Sequence, residues 1–434
     1  MTAVTPPAGT ASAPSAASAF KAATVVVTSW KLPIIFGIFS IVSIVLFVVL
    51  GRPGNSTFSF ATGTDFVHLP NITVSAVPVG IAVSIIAVLL TIASAIYVAN
   101  GRKVPRWIGI VFSLVVLFGF LTWSVVGETL PIAGLLAGAL GLSVPLIFGS
   151  MGGVLSERSG VVNIAIEGQL LAGAFTSAFV ASITKSLTAG LIAAMVAGML
   201  VSMLLAVFSI TYIVDQVIVG VVLNVLIAGI TGFLYSSLLA NNTEAFNLPP
   251  SLPTVPIPVL SSIPLIGPVL FKQTLIVYLA YIAVALVAVF LFCTRWGLRV
   301  RSVGEHPQAA DTVGINVNRT RFWAVTAGGA IAGLGGAYFT LGSGVGFVQN
   351  MTNGAGYIAL AAVIFGRWDP IRATMAALLF GFADNLQSVL SLLNAPVPSE
   401  FMNMLPYVVT IFAVAGLVGF SRAPGADGKP YIKS

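Results

Sequence analysis

The sequence predicts an all-α fold, a polytopic membrane helix bundle of about ten to twelve transmembrane helices with both termini on the cytoplasmic side. Three observations carry this reading. Of 434 residues only 7% are Asp, Glu, Lys or Arg, while 58% are hydrophobic and the mean hydropathy is +1.06. A soluble domain carries about 25% charged residues, so this chain cannot cover itself with a water-compatible surface. Apolar stretches near the roughly 20 residues needed to cross the hydrocarbon core recur along the chain. The few basic residues also sort to one side of these stretches.

Taken in order, residues 1–29 are rich in Ala, Ser, Thr and Pro and hold one charge, Lys21. They read as a flexible cytoplasmic tail rather than a signal peptide, because no basic stretch precedes a compact apolar core. Twelve candidate segments follow, at 32–50, 77–99, 107–126, 131–150, 162–184, 189–210, 216–240, 273–293, 322–343, 355–366, 373–391 and 404–420. The tenth is short enough to be broken or re-entrant. The glycines at 149–153 suggest a further discontinuous helix.

With the N-terminus inside, Lys21, Lys31, Arg102, Lys103, Arg106, Arg158, Arg295, Arg299, Arg301, Arg319, Arg321, Arg367, Arg372, Arg422, Lys429 and Lys433 fall on the cytoplasmic side, and only Arg52, Lys185 and Lys272 fall opposite. That partition satisfies the positive-inside rule, and inversion would violate it. The net charge of +7 therefore reports topology, and a nucleic-acid partner is not expected. The single Cys293 excludes a disulfide framework and a Cys-rich zinc site.

The outer loop 241–271 contains Pro249, Pro250, Pro253, Pro256, Pro258, Pro264 and Pro268, which favours an extended, semi-rigid segment. Small residues point to close helix packing, since helices in lipid approach through small side chains. Ala324, Gly328, Ala332 and Gly336 recur at every fourth position, and the pairs Gly329 with Gly333 and Gly134 with Gly138 add further ridges.

The largest cytoplasmic loop reads RWGLRVRSVGEHPQAADTVGINVNRTRF at 295–322. Pro307 suits a first helical position and Gly314 the position past a helix end, so 307–313 should form about two turns with Ala309, Ala310 and Val313 on one face. A helix so short is marginal by itself and should dock onto protein, either this chain's own loops or a separate subunit. The stretch RSVGEHPQAADTVGINV resembles the cytoplasmic coupling segment of permease subunits from bacterial ABC importers for simple sugars, nucleosides and branched-chain amino acids. Gly304, Glu305, Pro307, Ala309, Ala310, Gly314 and Ile315 carry that pattern. His306 stands where the family often has Asn, and a helix-capping role there stays open.

A second stretch, GSMGGVLSERSGVVNIAIEGQLLAGAF at 149–175, resembles the family's other signature, especially in its nucleoside-type branch. A third, GYIALAAVIFGRWDPIRATMAALLFGFADNLQ at 356–387, resembles its late Gly-Arg-x-x-Pro turn. The resemblance implies an ABC importer permease fold over 129–421, preceded by an extension at 30–128 with three transmembrane helices and followed by a cytoplasmic tail at 422–434. It also implies ATP-binding subunits, a second permease that is a related chain or another copy, and an extracellular substrate-binding lipoprotein, in the bacterial plasma membrane. No G-x-x-x-x-G-K-[ST] phosphate loop occurs, so ATP and Mg belong on the partner and this chain is expected to carry no cofactor and no catalysis of its own.

Ionisable groups inside spans cost about 2.5–3.5 kcal/mol on insertion scales, so each needs a reason. Glu167 lies four residues after Asn163, on one helical face, and either lines the path or locks the structure through Asn163, Arg158 or freed backbone. Asp384 and Asn385 are divided between interhelical bonding and a substrate path, and Asn224 sits inside the seventh segment. Asp215 reads as a helix cap. The two histidines, His68 and His306, fall on opposite sides, so no metal cluster is expected. No Lys or Arg occupies the middle of a span, which favours a small neutral solute such as a nucleoside or a simple sugar. The main rival is a proton-coupled secondary transporter using Glu167 or Asp384 as relay, and an intramembrane enzyme finds no catalytic constellation.

Overall fold

The computed structural model describes residues 29–60, 69–393, 395, 397, 398, 400, 401, 404 and 422–433. Among these, ten helices are long and apolar enough to cross a membrane. They are built on α1 (Lys31–Ile44), α2 (Ala76–Ala99), α3 (Arg106–Ser124), α4 (Ile132–Arg158), α5 (Ile166–Thr184), α6 (Leu187–Ala206), α7 (Gln216–Leu234), α9 (Leu275–Cys293), α12 (Val317–Ala337) and α14 (Pro370–Leu392). Between them lie the short helices α8 (Thr243–Phe246), α10 (Arg295–Glu305), α11 (Pro307–Thr312) and α13 (Ala355–Phe365). Helices α1, α6, α7 and α12 each run on into a five-residue π-type turn.

At 11 residues α13 reaches about 16 Å at 1.5 Å per residue, half a bilayer, as its short apolar run implied. The twelfth predicted span, 404–420, lies almost wholly outside the described residues, as do most of the tail 1–29 and His68. Asp215 caps α7 as expected, accepting from the amides of Val217 at 2.9 Å and Ile218 at 3.1 Å.

The discontinuity expected at Gly149–Gly153 is absent. Helix α4 is continuous through it, and the chain breaks instead at 159–165, where Gly160 takes φ +90. The glycines are there for approach rather than for breakage. A Cβ on Gly152 would stand 2.5 Å from the Gly328 carbonyl oxygen, and one on Gly153 would stand 2.9 Å from Val363. The stripe on α12 is the centre of the packing: Gly333 lies against Gly173 and Gly198, Gly329 against Ser202 and Gly198, and Gly336 against the backbone of Leu170 and Gly173, all too close for a methyl group. The expected partner pair splits. Gly138 abuts Asn385, whereas Gly134 meets only Pro131 at 3.7 Å.

The outer Pro-rich loop is folded rather than simply extended. Its strand β4 (Thr254–Pro256) pairs antiparallel with β5 (Lys272–Thr274), and Asn247 clasps the backbone of Phe347, accepting from its amide at 2.6 Å and donating to its carbonyl at 2.9 Å. Strands also fix the N-terminal three helices. β1 (Asn55–Ser59) pairs antiparallel with β2 (Ile72–Ser75) and parallel with β3 (Thr129–Pro131), which leads directly into α4. Beneath this ladder Phe58, Leu121, Val125, Leu130, Leu135, Leu386 and Leu390 form one buried cluster, so the extension joins the main bundle at its outer end.

Candidate functional site

Two polar stations occupy the bundle, one inside the membrane and one at its cytoplasmic end, and the α4–α5 break at 159–165 links them. Helix α5 starts within the bundle because the break delays it, and α13 starts within the bundle because the chain after α12 turns back inward. The N-terminal ends of α5 and α13 therefore meet. Free backbone amides at a helix start need acceptors, and Glu167 in the first turn of α5 provides them for α13. Its Oε1 accepts from the Thr352 hydroxyl at 2.6 Å and the Gly354 amide at 3.0 Å, and its Oε2 accepts from the Gly356 amide at 2.7 Å. Gly354 takes φ +83, and Gly356 packs on the Glu167 backbone with no room for a side chain.

Glu167 bonds freed backbone, as the lock reading expected, but that backbone belongs to a second break 185 to 189 residues on, neither Asn163 nor Arg158 bonds it, and these bonds leave the path-lining reading open. Asn163 is fully buried and pairs with Gln169, donating to its Oε1 at 3.3 Å and accepting from its Nε2 at 3.0 Å. Gln169 in turn donates to the Ser202 hydroxyl at 2.8 Å. Asn224 ties three elements together. Its Oδ1 accepts from the Gly168 amide at 2.8 Å, and its Nδ2 donates to the Ile164 carbonyl at 2.9 Å and the Tyr357 hydroxyl at 3.2 Å. Asn385 bonds the Leu135 carbonyl at 2.7 Å, which makes it an interhelical tie. Asp384, one position away, is exposed and makes no side-chain hydrogen bond to a described residue. Asn163, Glu167 and Asn224 cluster, whereas Asp384 and Asn385 stand apart on α14.

Sequence reasoning missed Thr352, Gly354, Gly356, Tyr357, Gln169 and Ser202. The Gly-x-Gly before a short apolar helix was the available signal, since amides packed that tightly need an acceptor.

At the cytoplasmic station all three motif stretches converge on the end of α4. Glu157 accepts from the Trp368 indole N–H, and Arg158 Nε donates to the Trp368 carbonyl at 2.8 Å. This holds the Gly366-Arg367-Trp368-Asp369-Pro370 turn, in which Arg367 and Trp368 both take left-handed φ, 56 and 55. Asp369 then caps α14 through the Arg372 amide at 3.0 Å. Gly304 packs against the Arg158 carbonyl and the Gly160 amide without space for a side chain.

The predicted connector helix exists as α11, and α10 before it is an additional helix the motif reading did not include. Gly314 follows with φ +85. His306 occupies the N-cap position of α11 without a side-chain cap bond, so the capping role left open for it is not taken up. The expected apolar face divides. Ala310 is buried within the chain beside Val303, Val317, Ile315 and Tyr431, while Ala309 is exposed and Val313 is 75% exposed. One hundred degrees per residue turns Ala310 inward and leaves Ala309 and Val313 outward. An arginine at Ala310 would break internal packing, and Ala309 and Val313 are the outward-facing positions of the helix. A groove of about 550 Å³ beside them is lined by Trp296, Arg299, Val313, Ile315, Arg319 and Trp323.

Arg321, counted by sequence among the loop cations, is only 2% exposed and donates through Nη1 to the Lys429 carbonyl at 2.9 Å. Burial pushes the neighbouring Asp427 carboxyl up to about 7, against the opposing pull of the Gly428 backbone and the Arg321 guanidinium. Among the described residues no group of three His, Cys, Asp or Glu side chains suits a metal.

Residues 135–414 match the family described as branched-chain amino acid transport system, permease component. The chain belongs to this permease family. It is 42% identical over 300 residues to the guanosine ABC transporter permease protein NupQ of Bacillus subtilis, covering 67% of this chain and 94% of that one. It is 40% identical over 309 residues to the nucleoside ABC transporter permease protein NupC of Lactococcus lactis, covering 69% and 97%. A second Lactococcus protein, the nucleoside permease NupB, is 28% identical over 139 residues, covering 31% and 36%. No solved structure matches the permease significantly. The permease is an integral, multi-pass subunit of an ABC transporter and not itself an enzyme: ATP hydrolysis lies on a separate ATP-binding subunit, and the family works with a substrate-binding protein.

Proposed function

We propose that this permease imports nucleosides across a bacterial plasma membrane as one half of a pair of unlike permeases, with ATP and Mg bound by the ATP-binding partner. The observation that carries the cargo is the chemistry of the mid-membrane station. Its ionisable group, Glu167, is taken up by three donors, and the groups around it, Asn224, Tyr357 and Thr352, are neutral donors and acceptors. Tyr357 is 49% exposed, an aromatic face beside polar groups that suits a base and a ribose in transit. The guanosine and nucleoside permeases at 42% and 40% identity support the same cargo class. Unlike pairing is supported by the two Lactococcus nucleoside permeases, which this chain resembles unequally.

Engagement of Glu167 by three donors favours a structural role for it over a proton relay, for which Asp384 was the other candidate. Asp384, exposed on a membrane helix, is assigned to a water-filled path or to the permease pair interface, because an ionised side chain facing hydrocarbon is expensive. The test is uptake of labelled guanosine in cells expressing the whole transporter, competed by unlabelled guanosine, uridine, ribose and galactose. Competition by nucleosides at concentrations where the sugars have no effect supports the reading. Competition by ribose or galactose alone contradicts it.

A further inference from the structure

The C-terminal segment 422–433 lies on the cytoplasmic station and touches four elements at once. On α10, the Ala426 amide donates to the Gly304 carbonyl at 2.8 Å, and the Gly425 amide donates to Glu305 Oε2 at 3.0 Å. On α11, Lys433 pairs with Asp311 at 3.8 Å, and Tyr431 packs against Ala310 together with Val303, Ile315 and Val317. On α12, Arg321 reaches the Lys429 carbonyl. At the α4–α5 break, Gly160 lies so close that a Cβ would stand 2.7 Å from Arg321 Nη2 and 3.1 Å from the Ala426 carbonyl oxygen, and Gly428 faces Val162. Pro424 and Ala426 are buried here.

The arrangement has a direction. Helix α11 has six residues and no side-chain cap, so it is marginal on its own and depends on the groups it packs against. Its inward residue, Ala310, rests partly on Tyr431, which belongs to the tail. The tail in turn rests on Gly160 and Arg321, beside the break whose other end holds Asn163 and Ile164 and leads into Glu167 at the start of α5. A push on the exposed face of α11 therefore has a packed route into the membrane station that passes through the C-terminal segment, in parallel with the bare glycine contact between Gly304 and Gly160.

We propose that residues 424–433 form a transmission strap that binds the connector helix to the α4–α5 break, with Tyr431 and Arg321 as positioning residues for the transport step. This rests on the reading of the chain as an ATP-driven permease. The strap is neither a lid that must open nor a part of the surface that holds the ATP-binding subunit: it makes α10, α11 and the break move as one body.

The experiment compares the full transporter carrying three forms of this chain: one ending after residue 423, Tyr431→Ala, and Tyr431→Phe. Co-purification of the ATP-binding subunit, ATP hydrolysis and nucleoside uptake are measured on each. For the shortened chain and Tyr431→Ala the strap predicts an intact complex, hydrolysis within twofold of the unaltered transporter, and uptake per ATP lower by about tenfold, within the usual range of coupling between sites. The concentration giving half-maximal uptake should not change, and Tyr431→Phe, which keeps the packing and loses only the hydroxyl's bond to Asp311, should restore most of the uptake. Should the shortened chain fail to accumulate, the two Tyr431 forms decide the matter alone. Unchanged uptake in Tyr431→Ala would overturn the strap. Increased uptake would replace it with a restraint, and loss of the complex would make the segment a docking surface. An unaltered transporter whose uptake ignores ATP would instead refute the functional reading on which the strap rests.

Discussion

Glu167 shows how one side chain makes a broken helix tolerable in lipid. An amide left without an acceptor in hydrocarbon costs several kcal/mol, and three donors at 352, 354 and 356 converge on this carboxylate. Glu167→Gln keeps the shape but replaces the charged acceptor with a neutral one that has a single carbonyl oxygen. Hydrogen bonds to charged groups contribute about 1.5–3 kcal/mol each, so the expected outcome is a lowered melting temperature of the purified protein, with Glu167→Ala worse than Glu167→Gln. A stability equal to that of the unaltered protein would remove the capping role. The sequence made the need for a partner legible, because a carboxylate in a span demands one, but not its identity, because the donors lie 185 to 189 residues away and meet it only when two helices start at the same depth.

At the same scale, Asp427 gives the strap a pH dependence with a definite sign. Its carboxyl is raised from 3.8 to about 7 in the docked segment, so docking favours the protonated form. The charged groups facing it are Arg321 from α12 and Glu157 from α4, with Glu305 on α10 and Lys429 within the segment nearby. Docking is therefore strongest near and below pH 4, weakens as pH climbs from 4 to 7, and is level above 7. Hydrogen exchange of the amides at 425–429 should rise in protection-corrected rate from pH 5 to 7, and Asp427→Asn should flatten that trend.

Among the elements, α12 carries the fold because its small residues let three neighbours approach backbone to backbone. Gly333 faces both Gly173 and Gly198, so a branched side chain there must push helices apart. Overpacking costs typically 1–3 kcal/mol and sometimes more, and Gly333→Val should sharply reduce accumulation of the protein in the membrane, measured by its monodisperse yield after extraction. Gly134→Ala, where the nearest atoms lie at 3.7 and 3.8 Å, should leave that yield unchanged. The four-residue spacing on α12 was readable as a packing face, since spacing alone defines a helix face. The glycines of α4 were not, because a cluster looks the same whether it ends a helix or admits a neighbour. The connector helix was legible for the same local reason, Pro at its start and Gly past its end. The division of its apolar face was not, because it depends on Tyr431 more than a hundred residues on.

For the whole molecule, the expected ten to twelve apolar spans agree with the ten found among the described residues. The charge pattern also contains its own exception. Arg321 was counted as a cytoplasmic loop residue and proves to be buried beneath the C-terminal segment, a role that no local pattern announces. The extension at the N-terminus is joined through the β1–β3 ladder and the cluster around Phe58 and Leu130, at the outer end and away from the connector. The α4–α5 break joins the two stations, and the plan proposed from them has force entering at α11 and the solute passing where two half-helices meet.

That plan is tested most directly by energisation of uptake. Labelled guanosine accumulation is followed in cells carrying the complete transporter, with ATP depleted while the proton gradient is held, and then with the gradient collapsed while ATP is held. The structure predicts that uptake stops in the first condition and continues in the second. Uptake that survives ATP depletion and collapses with the proton gradient would contradict the account.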